Sequence, residues 1–181
     1  MDNGKVLLLL GLATWVGFKW WGLGTWTWET SNQVGIFLNL GWVTIIAAYH
    51  AYRLLKSDLD HFSRWKSCAK NALAFVSLLV ITMGVWHFVW VPEPTEARKI
   101  EQLELLDEWL NDDAALAAFR SANPNLAEVT SESIYAQQAE SIETLFSPLF
   151  YLGMVTMAWA FAALSISAVF SLVFPKIWQK A

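Results

Sequence analysis

The sequence predicts an all-α membrane protein: four transmembrane helices, with an extracytoplasmic amphipathic helical segment between the third and the fourth. Three observations predict it. Apolar residues make up 56% of the 181, with mean hydropathy +0.38, and they fall in blocks. Charged residues are 15% of the chain, where a typical soluble domain carries about 25%. Twelve tryptophans gather near the block ends, as expected of a ring that is apolar while its N–H stays hydrated at a membrane–water boundary.

A spanning helix needs about 20 mostly apolar residues, because roughly 30 Å of hydrocarbon is crossed at about 1.5 Å per residue. The first such segment is residues 5–23, KVLLLLGLATWVGFKWWGL. It lacks a small-residue cleavage site, and Lys19 with Trp20 and Trp21 reads as an anchor at the far interface, so the segment is expected to be retained. The second span is residues 34–55 and the third 71–91. The fourth, 148–174, opens with Ser147 as N-cap and Pro148 at the first helical position.

Lysine and arginine set the direction. Arg53, Lys56, Arg64, Lys66 and Lys70 lie on or beside the 56–70 connection; Lys5, Lys176 and Lys180 join them, making eight on one side. Lys19, Arg98, Lys99 and Arg120 make four on the other. The positive-inside rule puts the eight, and both termini, in the cytoplasm. Residues 92–145 are then outside, with twelve carboxylates against three basic residues, a net −9.

This outer insert is too long for a bare connector, since unstructured loops beyond about 12–15 residues are uncommon. Ile100, Leu103, Leu106 and Leu110 recur at helical spacing over residues 95–110, widened by Leu105 and Trp109. A second short helix is expected over 113–121 with Asp112 as its cap. A third begins near Ser131, with Ile134, Ile142 and Leu145 inward. The apolar stripes must rest on lipid, on the bundle or on another protein.

Chemical motifs are scarce. His87, flanked by Trp86 and Phe88 and followed by Trp90, is the one candidate for a cofactor-binding side chain, because ionisable groups at membrane depth are functional candidates by default. His50 lies roughly 16 Å deeper at about 1.5 Å per residue, too far to share an iron or other metal with it. No carboxylate occurs in spans two to four, which weighs against proton or cation coupling. The acidic set Glu101, Glu104, Asp107 and Glu108 has the spacing of a solvated helical face rather than a calcium loop. Cys68 stands alone. No phosphate-binding glycine loop, no G-x-S-x-G nucleophile motif and no basic block suited to nucleic acid is present. No catalytic residue, metal or cofactor is therefore assigned.

Two surfaces can meet partners. Lys56, Arg64, Lys66 and Lys70, interleaved with Phe62 and Trp65, suit anionic lipid headgroups. In the fourth span Gly153, Thr156, Ala160, Ala163 and Ser167 recur at spacings of three and four, a small-residue seam for close helix packing, either within this bundle or against another subunit.

The segments FSRWKSCAKNALAF, WHFVWVPEP and ESIETLFSPLFYLG, in that order, give the chain a pattern that resembles a family of uncharacterised four-span bacterial inner-membrane proteins common in Bacteroidetes. The resemblance implies a bacterial inner-membrane location and carries no catalytic residues. The expected role is a non-enzymatic accessory or assembly subunit of a larger membrane complex, or a self-associating one, docking through span four and the outer helices. The alternatives are a lipid- or quinone-binding module with an outer-leaflet pocket at His87, and a passive pore.

Overall fold

A computed structural model describes the backbone of residues 3–55, 57–124 and 128–178, with side chains as far as Val173. All regular structure among these residues is helical: α1 (Asn3–Gly22), α2 (Trp28–Arg53), α3 (His61–Val85), α4 (Glu93–Leu110), α5 (Asp113–Ala122), α6 (Ser131–Leu145) and α7 (Pro148–Trp178). A five-residue π turn, Trp86–Trp90, extends α3. Three helical stretches are long and apolar enough to cross a membrane: Trp28–Arg53, His61–Trp90 and Pro148–Val173. At 20 residues α1 has the length, but Lys5, Lys19 and three tryptophans dilute its apolar character, and it is not among them.

The helices form two compact units, one from residues 1–85 with 153–181, the other from 86–152. In the first, α1 and α2 make an antiparallel hairpin. Its turn depends on two glycines. Gly24 takes φ +76°, a region that side chains disfavour, and a Cβ on Gly22 would fall inside the Trp26 ring. Thr27 then caps α2, its hydroxyl accepting from the Thr30 amide at 3.2 Å. This cap starts α2 six residues ahead of the apolar run at Val34.

Lys19 is where expectation and structure part. It is only 5% exposed, while its neighbours Trp20 and Trp21 are 69% and 72% exposed. Its ammonium donates to the Ser31 carbonyl at 2.9 Å and to Ser31 Oγ at 2.8 Å, and it lies 5.6 Å from the Trp15 ring. The Lys19 stem packs beside Gly35, where a Cβ would stand in ordinary contact, 3.4 Å from the stem and 3.6 Å from the Trp15 indole nitrogen. The lysine thus links α1 to α2, because the Ser31 carbonyl and hydroxyl near the start of α2 both lie within reach of its tip.

The α2–α3 connection is tied down from both sides. The Arg64 guanidinium, buried, donates to the Leu59 carbonyl at 3.2 Å and reaches the Ser57 carbonyl at 3.4 Å. Asp60 caps α3, accepting from the Ser63 amide at 2.7 Å and the Ser63 hydroxyl at 3.1 Å. The Ser63 amide and hydroxyl hold its carboxyl below the ordinary carboxylate value. The cap starts α3 ten residues before the expected span, so Arg64, Lys66 and Lys70 ride on helix rather than on loop. The core of this unit is apolar and tight: Trp15, Val43, Ile46, Phe75 and Leu79 are wholly buried. Gly11 receives Phe75, whose ring edge lies 2.8 Å from where a Cβ would sit.

The second unit starts at the π turn, where the Val91 amide bonds to the Trp86 carbonyl at 2.9 Å. One extra residue in that turn lets two consecutive side chains, Trp86 and His87, point inward. Pro94 lies in the first turn of α4, where its missing N–H costs nothing. Asp112 caps α5 through the Ala114 and Ala115 amides, and Thr130 caps α6 through the Ser133 amide. Helices α4, α5 and α6 close on a small core of Leu110, Leu116 and Ile134, flanked by Leu106, Trp109, Phe119 and Val129. Trp109 and Phe119 meet edge to face at 5.2 Å. Of the α6 residues expected inward, Ile134 is buried, Ile142 half-buried and Leu145 48% exposed; the buried contact is confined to the half of α6 that faces the α4–α5 corner.

Candidate functional site

Around His87 the π turn and α4 build a closed cluster. His87 is 7% exposed, and its Nδ1 lies 3.4 Å from the hydroxyl of Thr95, itself buried in the first turn of α4. The ring meets Tyr151 edge to face at 5.8 Å, and Phe88 meets the same tyrosine at 5.6 Å. Trp86 and Trp90 pair at 6.4 Å, with Trp86 buried and Trp90 63% exposed. The imidazole is therefore held from three sides by its own unit: turn, helix start and the Tyr151 ring. Neither Thr95 nor Tyr151 was legible as a partner, because the π register and the proline break decide that Thr95, eight positions on, meets the ring, and only the fold brings Tyr151 to it from α7.

Among the described residues no group of three His, Cys, Asp or Glu side chains is placed to hold a metal ion. His50 meets Tyr49 edge to face at 5.3 Å in α2, and His61 begins α3 exposed. Cys68 is buried in α3.

The basic patch divides. Lys66 and Lys70 are exposed, but Arg64 is spent inside on backbone carbonyls, and Lys56 lies outside the described residues. Phe62 is 67% exposed, whereas Trp65 is half-buried and donates its indole N–H to the Leu164 carbonyl of α7 at 3.2 Å. The surface available to headgroups is thus smaller than the run KSDLDHFSRWKSCAK suggests, since two of its longest side chains hold helices together.

The small-residue seam of α7 divides in the same way. Ala163 and Ser167 are wholly buried, and Ser171 and Trp159 continue that line at a spacing of four. Ala160 is half-buried, while Gly153 and Thr156 are exposed, and a Cβ at Gly153 would meet nothing within 4 Å. The buried line keeps Ala163 and Ser167 of the expected seam, takes Trp159 in place of Ala160 and continues to Ser171 in place of Thr156 and Gly153.

The α4 stripe also divides. Leu110 is buried and Leu106 packs against it, but Ile100 and Leu105 are 51% and 49% exposed. Two depressions of about 400 and 330 Å³ run along the α4–α6 junction. They share Asp107 and Tyr135; the larger adds Ile100, Leu103, Glu104 and Glu108. The sequence places Ile100 and Leu103 on an apolar stripe and Glu104, Asp107 and Glu108 on a wet face, and gives no sign of Tyr135, whose place opposite α4 only the packing of α6 fixes.

No protein-family model matches the chain, and no curated protein or solved structure matches it. The likeness to the four-span family rests on the three segments quoted above.

Proposed function

We propose that the chain is a four-span protein of a bacterial inner membrane, with both termini in the cytoplasm and residues 92–145 outside, and that it serves without catalysis as an accessory or assembly subunit of a larger membrane complex. The reading of α1 as the remaining span is supported by its 20 residues, by its hairpin with α2 and by the burial of Lys19, which removes a charge from its lipid-facing side. The lysine and arginine asymmetry supports the direction.

One observation carries the docking role. The outer unit buries only a small core, yet leaves Ile100, Leu105 and Leu145 about half exposed. In a unit that faces water, such side chains gain by being covered, at about 25 cal/mol per Å² of apolar surface removed. The outer end of α7, with Gly153 open and Leu149 87% exposed, offers a second contact within the membrane.

The test is gentle detergent extraction of the tagged full-length protein from its native membrane, followed by native mass spectrometry. A stable hetero-complex is expected, and Ile100→Asp combined with Leu105→Asp releases the subunit. A lone protein whose deletion leaves every neighbour in the membrane equally stable sinks the reading.

A further inference from the structure

The geometry points to the α4–α6 groove as the docking site for a cationic amphipathic helix of the partner. This rests on the docking role just proposed and names the chemistry of the partner. The two depressions meet at Asp107 and Tyr135 and form one furrow running from Ile100 to Asn111. The twelve residues from Ile100 to Asn111, the last of them the C-cap of α4, span about 16 Å at about 1.5 Å per residue, close to three turns of a helix laid alongside. The floor is apolar: Ile100, 51% exposed, Leu103, and Tyr135, 36% exposed. A helix in such a groove anchors through side chains spaced three and four apart.

The rim selects the sign of the partner's charge. Glu104 and Glu108 stand one turn apart on α4, with Asp107 between them, and Glu132 of α6 lines the smaller depression together with Asp107. Like charges at that spacing repel one another. The three basic residues of the unit are engaged elsewhere: Arg98 with Glu101, Lys99 with Glu96, and Arg120 with the Val129 carbonyl. The residues lining the furrow include no lysine or arginine among those described. The carboxylates are not gathered closely enough for a metal ion. They are strung along a furrow with a greasy floor, which matches an elongated partner carrying Lys or Arg on both flanks of an apolar stripe. On the proposed topology the chain's own basic connection lies across the bilayer, so the occupant is another protein.

The experiment uses the full-length protein in phosphatidylcholine nanodiscs, with empty discs as control. The probe is a fluorescent designed helix of leucines and lysines, and its twin with every lysine replaced by glutamine. Fluorescence polarisation is expected to show saturable binding of the lysine peptide only, weakening as salt is raised. The triple change Glu104→Gln, Glu108→Gln and Glu132→Gln is expected to weaken binding by about tenfold or more, as the sum of three partly exposed charge contacts. The pair Glu140→Gln and Glu143→Gln, on the same helix but outside the furrow, leaves it unchanged. Equal affinity for both peptides, insensitivity to the triple change, or equally effective competition by spermine overturns the inference. A native hetero-complex held through α7 alone, with the triple variant still bound, overturns the furrow while leaving the docking role intact. Peptide binding without any native complex does the reverse.

Discussion

The buried lysine of the α1–α2 hairpin makes opposite demands of its two partners, and that contrast can be measured. Lys19 Nζ has two acceptors on Ser31, the carbonyl at 2.9 Å and the hydroxyl at 2.8 Å. Ser31→Ala removes the hydroxyl and keeps the charge. A hydrogen bond to a charged group contributes about 1.5–3 kcal/mol in a soluble protein, and side-chain bonds between membrane helices average about 0.6 with a maximum near 1.7. With the carbonyl still in place, the expected loss is about 1 kcal/mol, set by the membrane figure. Lys19→Met keeps a stem of similar length beside Gly35 and removes the charge altogether. Replacing a buried ion by an apolar side chain of similar shape is often neutral or stabilising, so its expected effect lies between no change and a small gain. In the Lys19→Met background, Ser31→Ala has no charge left to strand and costs a few tenths of a kcal/mol at most, a coupling of the kind that double-mutant cycles detect. The protein supplies its own reporter: Cys68 is the single cysteine and is wholly buried, so a thiol-reactive fluorophore reads unfolding on heating. Ser31→Ala should melt earlier than wild type and Lys19→Met should not. Equal damage from both, or strict additivity in the double variant, refutes the pinning role given to the lysine.

The remaining predictions are briefer. Leu116→Ala, in the small core of the 86–152 unit, costs about 2–4 kcal/mol, visible as faster hydrogen exchange in α5 and in the buried half of α6 while α2 and α3 are unaffected. Because the folded state lowers the pKa of Asp60, the stability its carboxylate gives α3 is fully present above the ordinary carboxylate value and lost as pH falls through the lowered one; exchange of the Ser63 and Arg64 amides should accelerate in that acid window in the wild type and not in Asp60→Asn. Gly22→Ala forces the Trp26 ring aside and lowers the melting temperature, whereas Gly17→Ala, which meets no atom within 4 Å, leaves it within about 1 kcal/mol of wild type or slightly stabilised. A cysteine placed at Asp112 in a Cys68→Ser background should be labelled by an impermeant maleimide from outside intact cells; labelling only after the cytoplasm is opened overturns the proposed direction.

The difference between expectation and structure follows one physical line. Caps are local: a side chain and an amide two or three residues on satisfy each other wherever the rest of the chain goes. Asp112 at α5 and the Ser147–Pro148 start of α7, whose hydroxyl accepts from the Phe150 amide at 3.4 Å, were therefore legible as written. Asp60 and Thr27 are caps of the same kind, but they sit ahead of polar turns that hydropathy does not reward, so α2 and α3 begin earlier than their apolar runs. Periodicity marked an α4 stripe and an α7 seam, of which Leu110, Ala163 and Ser167 are buried while Ile100, Gly153 and Thr156 are exposed. It could not say which part of each face is buried, since that depends on where Ile134 of α6 and Trp65 of α3 arrive from other parts of the chain.

By itself the sequence determined an all-helical chain, helices apolar enough to cross a membrane and an acidic helical segment ahead of the last of them, because runs of apolar and of charged residues are written directly along the chain. Only the tertiary structure decided that Lys19 and Arg64 turn inward, that His87 closes on Thr95 and Tyr151, and that Tyr135 completes a furrow with α4. Each of those contacts joins residues separated by a turn or a whole helix. Their energy depends on distance and burial, and neither is written in the order of the residues.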